Sequence, residues 1–176
     1  MRKLRNEELG RKSIEEFKNA QKLSIIVVLD NVRSALNVGS VFRTSDAFLI
    51  ESVFLCGITA YPPNPDIHKT ALGGENTVSW KYFKDTLEAL EELKELGFKI
   101  FAVEQTEGSI SLPDFSIDKS QKYALIFGHE VDGVDQEVIL KCDGSIEIPQ
   151  WGSKHSLNIS VSTGIVLWEI ANKWRQ

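Results

Sequence analysis

The stretch Ser24-Ile25-Ile26-Val27-Val28-Leu29-Asp30 is apolar without alternation. A strand with one face in water carries a polar residue at every second position. A continuous run of this length instead belongs to a strand covered on both faces, as in a parallel sheet. The same rhythm returns at Val53-Phe54-Leu55-Cys56, Lys99-Ile100-Phe101-Ala102-Val103, Tyr123-Ala124-Leu125-Ile126-Phe127 and Ser145-Ile146-Glu147-Ile148. Helical segments stand between these runs. Asp85-Thr86-Leu87-Glu88 has a capping pattern, Leu87, Leu90 and Leu93 keep helical spacing, and Gly97 stands where a C-terminal cap ends such a helix. Strands alternating with helices predict an α/β domain, with a mostly parallel sheet and helices on both faces.

The chain's 176 residues suit one domain, 23–176, preceded by a basic helical extension, 1–22. No repeat or Gly/Ser linker divides it. In the extension, Ser13-Ile14-Glu15-Glu16 has the form of a capping box, which predicts a helix running to about Gln21. The net charge of −5 excludes a protein that coats nucleic acid by charge alone. Its distribution is uneven, because residues 1–22 balance at +3 and the remainder at −8. Such an arm either contacts phosphates or lies as a solvated amphipathic helix on the domain. Cys56 and Cys142 are far apart, with no His or Cys at metal-ligand spacing, so no zinc site is expected. The charged start and the absence of any run of ~18 apolar residues point away from secretion and membranes and toward the reducing cytoplasm.

The last segment, from Ser156 to Trp174, carries Leu157, Val161, Ile165 and Trp168 on one stripe and Ile159, Val166 and Ile170 on another. A helix apolar on two sides needs cover on both. It is either wholly internal or lies between the sheet and a second subunit.

Ligands of open parallel sheets gather at the carboxyl ends of the strands, and three post-strand segments stand out there. Asp30 to Asp46 holds Asn37, Gly39 and Arg43, with Gly39 permitting a close approach of backbone or ligand. Phe127-Gly128-His129-Glu130-Val131-Asp132-Gly133-Val134 brackets a carboxylate with glycines. Ile148 to Asn158 feeds the final helix, with Ser156 and Asn158 in its first turn. Each also has a plain structural reading. Asn37 and Ser156 suit helix caps, Gly128 and Gly133 suit turns, and Arg43 with Glu130 suits an ion pair. Neither nucleotide signature, G-x-x-x-x-G-K-[ST] or G-x-G-x-x-G, is present. Residue patterns alone therefore reach an α/β ligand-binding domain.

Taken together and in order, the segments resemble the three motifs of the SpoU (TrmH-like) branch of the SPOUT RNA methyltransferases. Asn37, Gly39 and Arg43 match N-x-G-x-x-x-R, Gly128, Glu130, Gly133 and Val134 match G-x-E-x-x-G-[LV], and Ile148, Pro149, Gly152, Ser156, Leu157 and Asn158 match I-P…G…S-L-N. Lys69 to Glu75 also resembles a variant found in this branch. The resemblance implies a SPOUT-type fold with a deep C-terminal trefoil knot and S-adenosylmethionine as cofactor. It also implies a homodimer with catalytic groups contributed across the interface, and a tRNA or rRNA substrate methylated at a ribose 2'-hydroxyl.

The catalytic set the resemblance implies is Arg43, Glu130, Asn37, Asn158 and Ser156. In that scheme Glu130 orients Arg43, while Asn37 and Asn158 position the ribose or shape the loop. Val103, Gly128, Ile148, Ser156 and Leu157 would hold the cofactor. Two features depart from the family pattern, His129 after Gly128 and Gln150-Trp151 in the third motif; His129 is either a proton shuttle or structural. Two other classes stay open at this point, a non-catalytic RNA-binding protein on the same scaffold and an α/β domain for another nucleotide cofactor.

Overall fold

A computed structural model describes residues 1–176, the side chain of Asn6 excepted. Seven strands form one sheet: β1 (Leu23–Asp30), β2 (Ile50–Cys56), β3 (Ser79–Phe83), β4 (Phe98–Val103), β5 (Ile110–Ser111), β6 (Lys122–Phe127) and β7 (Gly144–Glu147). Their order is β3-β2-β1-β6-β4-β7-β5, and every pairing is parallel. The helices are α1 (Ile14–Asn19), α2 (Ala35–Ala47), α3 (Pro65–Ala71), α4 (Gly74–Thr77), α5 (Thr86–Glu95), α6 (Gln136–Ile139) and α7 (Ile159–Arg175).

The unbroken apolar run of β1 is used on both faces. Ile25, Val27 and Leu29 join one core with α1, α2, α3 and α7, while Ile26 and Val28 join a second with α5 and α6. Two strands escape the sequence pattern. β3 is an edge strand whose first four residues are exposed, and β5 is only two residues long.

The helix boundaries follow their caps. Ser13 and Glu16 form the capping box of α1, and α1 stops at Asn19, short of Gln21, because Ala20 turns to extended backbone and the Lys22 ammonium takes up the carbonyls of Phe17 and Ala20. Phe17 is buried in the main core, which ties the extension to the domain. Asp85 caps α5. The final helix starts later than expected. Asn158 is its N-cap, so Ser156 and Leu157 lie in the exposed loop before it and not in its first turn. It is not a wholly internal helix either. Its Ile159, Val166 and Ile170 side is buried, whereas Val161, Ile165 and Trp168 face solvent, Trp168 at 60% exposure. Among the described residues, no helix is long and apolar enough to cross a membrane.

Candidate active site

The turn after β6 is closed on itself. His129 N–H donates to the Gly133 carbonyl and Gly133 N–H to that of His129, both at 2.9 Å. A Cβ on Gly128 would fall 2.1 Å from the Gly133 carbonyl carbon and the Val134 nitrogen, so only glycine lets the returning chain lie there. Gly133 adopts φ +72°, the left-handed region that favours glycine. Glu104 braces the return by accepting from Val134 N–H at 3.1 Å. His129 serves the same turn, since its Nδ1 faces the amides of Val131 and Asp132 at 3.3 and 3.2 Å. Its Nδ1 also lies 3.0 Å from the exposed Asp132 carboxylate, a contact that needs a hydrogen on Nδ1. The amides are fixed by the turn while water competes for Asp132, so the bare Nδ1 is the better description. These contacts brace the turn, and the same ring lines the cavity described below.

Glu130 leaves that turn toward the N-terminus of α2. Its carboxylate accepts from the backbone N–H groups of Arg33 and Ser34 at 2.9 Å each and from Asn37 Nδ2 at 3.0 Å. Burial pushes the carboxyl up, but these donors outweigh burial and hold it below the usual glutamate range. Asn37 in turn accepts from Asn158 Nδ2 at 3.3 Å, while Asn158 Oδ1 caps α7 through Ser160 N–H at 2.9 Å. One polar chain, Asn158 to Asn37 to Glu130, thus joins all three sequence segments.

Several expectations are corrected. Asn37 is not the cap of α2; Ser34 is, accepting from Asn37 N–H at 3.3 Å. Gly39 admits no ligand, because a Cβ there would sit 2.1 Å from Thr70 Oγ1 and 2.3 Å from the Ile67 carbonyl, so it marks where α3 crosses α2. Within the chain Glu130 does not orient Arg43, since its oxygens are spent on the start of α2. Six residues of helix separate Asn37 from Arg43, a rise of roughly 9 Å and a turn of roughly 120° away from Asn37. Arg43 is exposed and beside α4, whose Gly74 lies against the Phe42 and Arg43 backbone.

A cavity of about 400 Å³ opens beside the turn, within the range of small-molecule sites. Val103, Gly128, Ile148, Ser156 and Leu157 all line it, as do Glu130 and Asn158, whereas Asn37 and Arg43 do not. Glu104, Glu130, Asp132 and Glu147 face it with no Lys or Arg among the described residues, a lining that attracts a cation and repels phosphate. Sequence reasoning missed Glu104, Gln105 and Ser34. Glu104 and Gln105 directly follow β4, and the rule that ligands gather at strand carboxyl ends points to them.

The model of the SpoU rRNA Methylase family matches residues 24–168, from the start of β1 into α7. The chain belongs to the SpoU family. A tRNA (guanosine(18)-2'-O)-methyltransferase of Thermus thermophilus is 31% identical over 92% of the chain and 81% of its own length. The A. aeolicus TrmH/SpoU tRNA modifying enzyme superposes with a TM-score of 0.81 at 26% identity, covering 92% of this chain and 81% of that one. An AdoMet-bound rRNA methyltransferase from Sinorhizobium meliloti superposes at 0.79 with 27% identity, covering 89% and 59%. In this SpoU chain the extension that holds α1 falls outside the family match.

Proposed function

We propose that this SpoU chain transfers a methyl group from S-adenosylmethionine to a ribose 2'-hydroxyl of RNA, with tRNA favoured over rRNA, and that it acts as a cytoplasmic homodimer. The observation that carries the reading is the cation-free, carboxylate-lined cavity at Val103, Gly128, Ile148 and Leu157, coupled through Glu130 and Asn37 to the head of α2. A sulfonium and an α-ammonium suit such walls. The di- and triphosphates of NAD or ATP do not, which disfavours another nucleotide cofactor. In this reading the chain between β7 and α7 threads the family's trefoil knot, with the cavity at the crossing. Preference for tRNA rests on the Thermus relative.

S-adenosylmethionine, when bound, supplies an already activated methyl, so the protein's work is alignment and activation of the hydroxyl. Val103, Gly128, Ile148, Ser156 and Leu157 hold the cofactor. The ionised Glu130 fixes the loop entering α2, and Asn37 and Asn158 keep that loop against the start of α7. In the transfer the acceptor 2'-hydroxyl would give up its proton to water as its oxygen bonds the methyl carbon, and the carbon–sulfur bond would break to leave a neutral thioether. A guanidinium with a pKa above ~12 is a poor base, so Arg43 stabilises the developing alkoxide and grips the neighbouring phosphate. Arg43 does not line its own cavity; it is exposed, two helical turns on from the exposed Leu36 of α2, a helix that packs against α7. A two-fold contact over these helices brings Arg43 to the partner's cavity, completing each site from two chains. The basic extension lies on the same side, since α1 packs on α4 next to Arg43, and offers its cations to RNA. Neither thiol takes part. Burial holds Cys56 up at about 12 and Cys142 at about 11, so both stay protonated.

The test is incubation of the purified protein with methyl-labelled S-adenosylmethionine and an unmodified total RNA pool, followed by size fractionation and nucleoside mass spectrometry. Label in a 2'-O-methyl nucleoside of the tRNA fraction is the expected result. Absence of S-adenosylhomocysteine binding would refute the methyltransferase reading, and binding without turnover would favour a non-catalytic RNA-binding role.

A further inference from the structure

Away from the cavity, the edge strand β3 and the loop after β2 expose a group of rings. Tyr61 stacks on Trp80 at 6.2 Å between centroids and 25° between planes, and lies 4.7 Å from Tyr82. Tyr82 is pinned by its hydroxyl, which donates to the Gly57 carbonyl at 2.9 Å. Ile58 beside them is 65% exposed and Tyr61 49%. β3 is the edge strand, paired only with β2, and Trp80 and Tyr82 on it stay 36% and 38% exposed.

Its position is informative. Trp80 and Tyr82 alternate with Lys81 and Phe83, which face α5, and so lie on the face of the sheet that carries α2. Ile58 and Tyr61 follow the carboxyl end of β2, the end of the sheet where Glu130 and the cavity also lie. From β6 through β1 and β2 to β3 is three strand spacings, about 14 Å. At ~3.4 Å per stacked residue that is roughly four nucleotides, and fewer when the strand is extended. On the same rim Arg33, after β1, is exposed and has no carboxylate partner, whereas Lys84, after β3, lines a second cavity with Asp30, Asp85, Asp135 and Glu137.

We infer that Tyr61, Tyr82 and Trp80 form a stacking platform for an unpaired RNA base a few nucleotides from the methylated ribose, with Arg33 set against an intervening phosphate. The inference rests on the RNA methyltransferase reading and adds to it a subsite for single-stranded flanking sequence. Ring faces bind any base, so the platform selects unpaired RNA over duplex rather than one sequence.

The experiment compares wild type with Tyr61→Ala, Tyr61→Phe and Ile58→Asp. It reads KM for unmodified tRNA, kcat at saturation, S-adenosylhomocysteine affinity and cross-linking to a single-stranded RNA of roughly 12 nucleotides carrying 5-iodouracil. Loss of one stacked base predicts a KM raised roughly 5- to 150-fold in Tyr61→Ala, a near-normal KM in Tyr61→Phe, and unchanged cofactor affinity. Ile58→Asp empties nothing and repels phosphate, so it raises KM even if Tyr61→Ala folds poorly. The cross-link is expected at Tyr61 or Tyr82. Unchanged KM in both Tyr61→Ala and Ile58→Asp, with an active wild type, overturns the platform and leaves the enzyme reading intact. A change in assembly mass with RNA affinity preserved shows a protein contact and also overturns it. A wild type that methylates no RNA removes both.

Discussion

Glu130 is an ionised carboxylate spent on holding backbone, and its charge state has a measurable signature. Its folded pKa lies below the ordinary value, so the stability it contributes is present above the unfolded value of about 4.3 and is lost as pH falls through the folded one. The Tm gap between wild type and Glu130→Gln should therefore be constant above pH ~5.5 and close on further acidification, as differential scanning fluorimetry across pH would record. Arg43 belongs to the opposite kind, a side chain with no hydrogen-bond or ion-pair partner among the described residues, which the proposed function puts to work on the substrate. Arg43→Ala should lower kcat by roughly 10²–10³, the usual loss for one donor to a developing oxyanion, with S-adenosylhomocysteine affinity unchanged in calorimetry. The identities of Asn37, Glu130 and Asn158 were legible because polar side chains stood in glycine-rich or helix-feeding loops. Their bonding was not. Glu130 is satisfied largely by the backbone amides of Arg33 and Ser34, and a backbone amide carries no residue-type signal.

At the scale of elements, the crossing of α2 and α3 depends on the absence of a side chain. Gly39→Ala forces a Cβ against Thr70 and the Ile67 carbonyl, the latter backbone that cannot rotate away. The expected cost is ~1–3 kcal/mol, a fall in Tm on the order of 5 °C by calorimetry, with activity falling as well because the same helix carries Arg43. β1, β2 and β6 were legible from their apolar runs, which burial on both faces demands, while β4 and β7 were legible from shorter apolar stretches interrupted by Lys99 and Glu147. β3 was not, because Ser79-Trp80-Lys81-Tyr82 lies exposed at the sheet edge, and β5 is too short to show a period. Gly39 was misassigned in part because a glycine signals close approach without saying what approaches.

For the whole molecule, the outward stripe of α7 bears on the proposed homodimer. Sequence alone showed two apolar sides and could not tell an internal helix from an interface, because both need the same residues. The exposed Val161, Ile165 and Trp168 favour the interface. Trp168→Asp should halve the sedimenting mass and reduce turnover by more than ~100-fold through misplacement of Arg43, with the circular dichroism of a folded chain retained. The strand order sets a further consequence, in time. β1, β2 and β3 are neighbours in sequence and in the sheet, so residues 23–83 can close their half of it as soon as they are made. β4 has no partner until β6, ending at Phe127, inserts between it and β1. At ribosomal rates of 5–20 residues per second the delay between Phe83 and Phe127 is about 2–9 s. Throughout that interval the nascent chain carries a bare, strongly apolar β1 edge, the period in which this protein most needs a chaperone.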